Sequence, residues 1–332
     1  MLDILSVGDS VIDIFLNIPQ DNPHVKLDEK ENRLIFGFGE KINLDKYVMD
    51  TGGNATNTGV GVSRLGFKTG LMAEIGNDEF SEKIFNRLKE ENIDASNIIK
   101  SQKEKTSFSV VLNYNGERTI FVEHIQREHK FIFENIETKM VYLTSLGNFW
   151  EEAYEKTLNF VKNKNLILAF NPGTAQIEKR DKLVIDLIER SDYLFVNKEE
   201  AEELLYGKEL GMTSSSNTSV IKKLLFGLKS LAAKNVIITD SVNGSYLQTN
   251  NDKTFHLGIV EVKVIEKTGA GDAYTAGFLG AVLNGESYEN AMLWGAVNSS
   301  SVIQKIGAEE GLLKKEELLE NLRNTEIRTS EI

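Results

Sequence analysis

The feature that most restricts what this chain can fold into is a regular exchange between two hydrophobic periods. Short apolar runs ("LDILSVGD", "TGLMAEIG", "MVYLTSL", "NLILAFN", "YLFVN", "NVIITD") are separated by longer stretches in which apolar residues return every three or four positions. The runs have the length of buried strands, and the first stops at Gly8; the stretches have the period of helices with one covered face. "NATNTGVGVSRLG", "EFSEKIFNRLKEENI", "WEEAYEKTLNFVKNK", "KLVIDLIERS" and "VIKKLLFGLKSLAAK" are the helices predicted in this way. Alternating strands and helices imply an α/β fold with a mainly parallel central sheet flanked by helices on both faces, because parallel neighbours need crossovers that pack back on the sheet. With 332 residues, 41% of them hydrophobic, and only 3 prolines, the chain can fill one large α/β domain or two ordinary ones.

Two stretches break the rhythm. Residues 14–51 and 105–123 alternate apolar and polar positions, and the second carries Asn115-Gly116, a pair that closes tight hairpins. They read as a small antiparallel β lid, or else as ordinary surface hairpins, on an α/β domain made of residues 1–13, 52–104 and 124–332. Exposed lid strands offer edges to a second copy, so a homodimer through the lid is an expectation. "MTSSSNTS" (212–219) reads as a polar loop capping a helix that starts near Val220, and the charged tail from Lys314 holds one terminal helix.

Charge and composition then remove several function classes. Fifty acidic against 38 basic residues leave a net charge of −12, a field that repels nucleic acid and anionic membranes. There is no cysteine, and the 4 histidines have no paired spacing, so structural zinc is excluded. The amino end lacks the basic segment and cleavage site of a signal peptide, and no apolar run is long enough to span a bilayer; the expected place is the cytoplasm.

The densest chemistry lies in "KTGAGDAYTAGFLGAVLNG", residues 267–285, just after the β-like run "VEVKVIE". Small and apolar residues keep helical spacing after Asp272 as far as Leu283, and Asn284-Gly285 is a stop signal. Thr268 to Gly271 therefore form a loop at a helix start, where unpaired backbone N–H groups and the positive end of the dipole attract an anion provided the side chains stay small. Gly269, Ala270 and Gly271 supply that smallness. Asp272 stands beside such an anion, able to orient and deprotonate an attacking hydroxyl, and the dipole is expected to keep it ionised. An aspartate that only caps a glycine turn explains the same residues equally well.

"TGAGDAYTAGF" resembles the carboxyl-side signature of the ribokinase-like (PfkB) family of sugar and nucleoside kinases, and further segments agree in the right order over nearly the whole chain. The resemblance implies a three-layer α/β fold with a small β lid, and ATP- and Mg²⁺-dependent phosphorylation of an alcohol on a sugar or related polyol. It makes Asp272 the catalytic base and the Gly269, Ala270 and Gly271 amides the anion hole. "TGGNATNTGVGVSRLG" is similar to the amino-side signature, which puts Gly52, Gly53 and Asn57 against the substrate. "VGDSVID" resembles the first-strand element whose aspartate binds substrate hydroxyls, with Asp13 at the matching position and Asp9 the weaker match. In "VNKEEAEEL", Asn197 and Glu200 fit an Asn-x-x-Glu element for phosphate and magnesium. "VIITDSVNGSYL" places Thr239 and Gly244 near the phosphates, with Thr268 beside them. "WGAVNSSSVIQKIGA" offers Asn298 and Gly307 as adenine contacts, although close helix packing explains its small residues too. Ser241, where a glycine is common, and Lys267, where a small polar residue is common, depart from the family; Lys267 adds a possible phosphate contact. A monovalent cation is implied as well, without identifiable ligands. Arg118 and Lys41 read as solvated charges of the lid.

Other classes fit less well. A nicotinamide dehydrogenase needs GxGxxG directly after the first strand, where this chain has "SVGDSVID". "GVSRLGFKT" misses the P-loop spacing by one residue and sits at a helix end. A nucleoside kinase of the same fold and a non-catalytic binding protein are the remaining alternatives.

Overall fold

The computed structural model describes residues 1–31, 33–123, 125–207 and 217–332, the side chains of 217 and 218 excepted. The chain opens with β1 (Leu2–Val7), β2 (Val11–Asn17), β3 (Val25–Asp28), β4 (Arg33–Phe36) and β5 (Lys46–Gly52). Next come α1 (Asn54–Arg64), β6 (Thr69–Met72), β7 (Glu74–Ile75), α2 (Glu79–Glu90), β8 (Ile99–Lys100), β9 (Phe108–Tyr114) and β10 (Glu117–Glu123). The middle holds β11 (Thr138–Leu143), α3 (Glu151–Lys164), β12 (Ile167–Phe170), α4 (Thr174–Lys179), α5 (Lys182–Arg190), β13 (Tyr193–Asn197), α6 (Lys198–Tyr206) and α7 (Asn217–Ser230). The last part is β14 (Asn235–Thr239), β15 (Ser245–Gln248), β16 (Thr254–Leu257), α8 (Ala270–Leu283), α9 (Tyr288–Val302), α10 (Lys315–Asn324) and β17 (Ser330–Glu331).

Nine strands form the main sheet in the order β17-β16-β15-β14-β13-β12-β11-β1-β6. It is parallel from β6 to β14 and antiparallel beyond, where β15 and β16 follow β14 without crossover helices and β17 returns to the edge of β16 after α8, α9 and α10. The pleat divides each strand between two cores. Leu5, Val7, Val141, Leu143, Leu168 and Phe170 face α3, α5, α6 and α7, whereas Ile4, Met140, Tyr142 and Ala169 face α1, α8, α9 and α10. Three layers result, since each face of a parallel sheet must be covered.

The second sheet has the order β10-β9-β2-β5. β10 and β9 form a hairpin whose turn residues, Asn115 (φ +52°) and Gly116 (φ +80°), both take the positive φ that the Asn-Gly pair favours. Its pairings are antiparallel except for β2 with β9, which run parallel. β2 starts at Val11, so Asp13 belongs to this sheet, while β3 and β4 pair as a separate hairpin. Ile12 from β2 packs with Ala55, Val60, Leu71, Ala273 and Val302, anchoring the small sheet over the ends of α1 and α8.

Two expectations differ. Residues 260–266 form no strand; Ile265 and Glu266 instead donate their N–H groups to the Ile303 carbonyl at 2.8 and 3.2 Å, so the apolar alternation here serves a helix-end contact and not a ladder. α7 begins at Asn217, before the expected Val220, and the loop 212–216 lies outside the described residues.

Candidate active site

The site is built where α8 starts. Gly269 is its N-cap at φ +78°, and a Cβ there would sit 2.6 Å from that of Ala308, so both backbone angle and space demand glycine. At Gly271 a Cβ would meet nothing within 4 Å: open space faces this first turn. Among the described residues no side chain caps the helix, so its N-terminal amides keep their capacity for an anion. Ala270 is the least available of the three amides predicted for the cradle, since its N–H turns back to the Lys267 carbonyl at 3.3 Å. Thr268 shapes the turn by donating its N–H and hydroxyl to Glu266 Oε1 at 2.7 and 2.5 Å. Glu266 is buried, and its Oε2 has no hydrogen-bond partner.

Asp272, in the first turn of α8, is buried, and its Oδ2 accepts a 2.8 Å hydrogen bond from Asn57 Nδ2. Burial pushes its carboxyl up to about 7; the Asn57 bond opposes the rise, and the charges of Asp13 and Glu200 add to it. This overturns the expectation that the helix dipole keeps the group firmly ionised. A helix end contributes about 0.3–1 kcal/mol, less than the several kcal/mol that stripping water from a carboxylate costs.

Asp13 is set between Asp50 of β5 and Ser109 of β9 by strand register. Burial pushes it up to about 6, with the Ser109 hydroxyl pulling down and Glu266 and Asp50 pushing up. The Gly52-Gly53 pair acquires a physical reason. A side chain on Gly52 would collide with the Asp13 carboxylate, and Gly53, at φ +91°, starts α1 where a Cβ would fall 2.4 Å from the Asp9 carbonyl oxygen. One turn later α1 delivers Asn57, whose Oδ1 is buried without a partner. Asp13, Gly52, Gly53, Asn57 and Asp272 thus converge from four elements, β2, β5, α1 and α8. Asp9 faces elsewhere, held by the Gly147 N–H, and burial raises it to about 7.

Asn197 and Thr239 end adjacent strands in register. Asn197 and Glu200 are a reciprocal capping box: Asn197 Oδ1 accepts from the Glu200 N–H, and Glu200 Oε2 from the Asn197 N–H, each at 2.8 Å. Helix capping therefore accounts for part of this pair, and burial raises the Glu200 carboxyl. Gly244 (φ +84°) closes the 3-10 turn 241–243, where a side chain would strike the Leu257 carbonyl.

Two residues predicted as adenine contacts are engaged with other parts of the chain. Asn298 is fully enclosed, its amide donating to the Ala273 carbonyl at 2.8 Å and accepting from the Leu313 N–H at 3.0 Å, so it braces α9 against α8. A Cβ added to Gly307 (φ +101°) would lie about 4 Å from Phe15 and Asp50, on the side of the small sheet. Lys267 points its Nζ at Glu117 of β10, 2.7 Å away, instead of lying free beside the cradle. Sequence patterning carries no signal for Glu309, Arg87 or Arg127, long polar side chains whose enclosure follows only from tertiary packing.

Among the described residues no group of three or more His, Asp or Glu side chains is placed to hold a metal ion, and no helix is long and apolar enough to cross a membrane. The model of the pfkB family of carbohydrate kinases matches residues 5–315. The chain belongs to that family. A nucleoside kinase of Methanocaldococcus jannaschii is 26% identical, the match covering 98% of this chain and 99% of the relative. The crystal structure of the M. jannaschii enzyme superposes with a TM-score of 0.73 at 24% identity, over 98% and 99% of the two chains. A 5-dehydro-2-deoxygluconokinase of Bacillus subtilis is 24% identical over 95% of this chain and 94% of its own. Arabidopsis thaliana ribokinase, solved with ribose and ATP, superposes with a TM-score of 0.75 at 19% identity, over 97% and 99%. The three-layer architecture with its small second sheet is thus the ribokinase-like fold, and this pfkB protein is a carbohydrate kinase.

Proposed function

We propose that this pfkB kinase moves the terminal phosphoryl group of ATP to an alcohol of a sugar or related small polyol held between the main sheet and the small one. The observation that carries the reading is Asp272, hydrogen-bonded to Asn57 at 2.8 Å, in the first turn of a helix whose uncapped start faces open space at Gly271. Bound ATP with Mg²⁺ supplies the electrophilic phosphorus and neutralises part of the developing charge. Asp13 accepts hydrogen bonds from acceptor hydroxyls and anchors the ring. Gly52 and Gly53 let that ring approach the backbone, and the orphaned Asn57 Oδ1 accepts a further hydroxyl. Asp272 takes the proton of the attacking alcohol, and a carboxyl titrating near neutrality suits that task better than a fully acidic one. The Gly271 amide and the helix dipole face the transferring group.

Asn197, Thr239, Gly244 and Thr268 form the nucleotide side, and the Glu200 carboxylate would help hold Mg²⁺, an ion that takes oxygen ligands and would offset phosphate charge. The buried, unpartnered Oε2 of Glu266 supports a monovalent cation behind the anion-hole turn. The sheet formed by residues 11–17, 46–52, 108–114 and 117–123 serves as the lid, excluding water from the transfer. Ile120, Phe121 and Val122 are exposed on its edge strand β10, which supports a homodimer formed there. The enzyme works in the cytoplasm, where ATP is available.

A nucleoside acceptor is the second reading, favoured by the M. jannaschii nucleoside kinase that matches over 98% of this chain. A panel of pentoses, hexoses, sugar acids and nucleosides assayed with ATP and Mg²⁺ decides between them. Turnover of nucleosides alone selects the second reading; tight binding without turnover of any acceptor sinks both.

A further inference from the structure

Glu309 has no exposed surface and no part in the reading above. Its Oε1 accepts the Thr51 hydroxyl at 2.8 Å and its Oε2 accepts Arg87 Nε at 2.7 Å. Its carbonyl oxygen accepts Arg64 Nη1 at 2.7 Å, and Arg64 also grips Glu91 at 2.6 and 3.0 Å. Arg87 reaches Asp50 at 3.4 Å. A single acidic residue therefore joins the end of β5, helices α1 and α2, and the turn after α9.

Two of these are walls of the active site. Thr51 immediately precedes Gly52-Gly53, and Asp50 lies opposite Asp13 in strand register. On the other wall, Ala308 backs Gly269, and a Cβ added to Gly307 would lie about 4 Å from Phe15 and Asp50. Displacing Glu309 moves the support of the acceptor subsite and the support of the anion hole together. Enclosing a carboxylate is costly, and burial pushes this one up to about 7 against the pull of Arg87. An apolar residue would avoid that cost, but it offers no directional bond that sets one wall relative to the other.

We infer that Glu309 is a positioning residue for phosphoryl transfer: through Thr51 and Arg87 it holds the acceptor-side strand β5 in register with the turn that supports Gly269. The inference rests on the proposed site, so its test has one arm that needs no acceptor. In Thr51→Val, nearly isosteric, only the hydroxyl that binds Glu309 is lost. Hydrogen exchange read by mass spectrometry should rise about ten-fold at the amides of 268–272 as well as at 49–53. With an acceptor that the wild type turns over, acceptor KM should rise and kcat fall several-fold while ADP affinity stays within about two-fold. Glu309→Gln, which keeps an oxygen for Arg87 and an amide for the Thr51 hydroxyl to accept, should retain most activity, and adding it to Thr51→Val should change little more. Exchange confined to 49–53, or a lowered melting temperature with kcat and KM unchanged, overturns the inference. If the wild type phosphorylates no acceptor, the functional reading falls, while the exchange arm still decides the coupling.

Discussion

Asn57 and Asp272 lie 215 positions apart in the chain and meet at 2.8 Å, the amide of one signature donating to the carboxylate of the other. Removing that donor leaves the buried carboxylate without its one stabilising side-chain partner. Asn57→Leu should therefore raise the Asp272 pKa further, by about one unit if the bond contributes about 1.5 kcal/mol. The acid limb of the kcat/KM profile should move to higher pH by that amount. An unmoved limb would show that Asn57 does not tune the base.

Asp272→Asn keeps the shape of the site and removes its proton acceptor. Turnover should fall by about 10²–10⁴-fold, the usual worth of a positioned general base. Calorimetric ADP affinity should stay close to wild type. A loss of less than about ten-fold would contradict the assigned role.

The same substitution should stabilise the fold at alkaline pH. The Asp272 carboxyl lies near 7 in the folded chain and near 3.8 as an ordinary carboxyl, so between those values the folded state binds more protons. Stability contributed by this group is present below pH 3.8 and lost as pH rises through 7. Asp272→Asn should raise the melting temperature by a few degrees at pH 8 and by less at pH 5, measured by calorimetry. Equal shifts at both pH values would argue against a raised carboxyl.

The two glycines of the α8 start should respond in opposite ways. Gly269→Ala imposes a positive φ and a collision with Ala308, so it should destabilise the chain by about 1–2 kcal/mol or more. Gly271→Ala meets nothing, so the melting temperature should hold while ATP KM rises and kcat falls. A Gly271→Ala enzyme with wild-type kinetics would show that no ligand approaches this turn.

The Lys267–Glu117 pair links the α8 loop to the tip of the β9–β10 hairpin, but both side chains are largely exposed. Water and salt screen such a pair to about 0–1 kcal/mol. Glu117→Gln should leave stability unchanged and alter acceptor KM by less than about five-fold, with the difference vanishing at high ionic strength. A larger effect that persists in salt would give Lys267 a direct role.

Local pattern was enough for the layered α/β fold, the order of its elements and the small-residue turn ahead of Asp272, since strand and helix periods and glycine placement act over a few neighbouring residues. Where a reading depends on what surrounds a residue, local pattern carries less. The "VEVKVIE" run has a strand's pattern and no ladder partner, Asn298 has an amide suited to a ligand and spends it on two backbone groups, and Asn197 with Glu200 caps a helix whatever else it does.

The amino-acid sequence by itself determined that the chain alternates strands and helices, and that a glycine-lined helix start with an adjoining acid stands near its carboxyl end. Only the tertiary structure decided that this acid is buried near neutrality, that Asn57 holds it, and that Glu309 ties the two walls together. The reason is that desolvation and hydrogen-bond partnership depend on atoms brought together from distant parts of the chain, which no local spacing encodes.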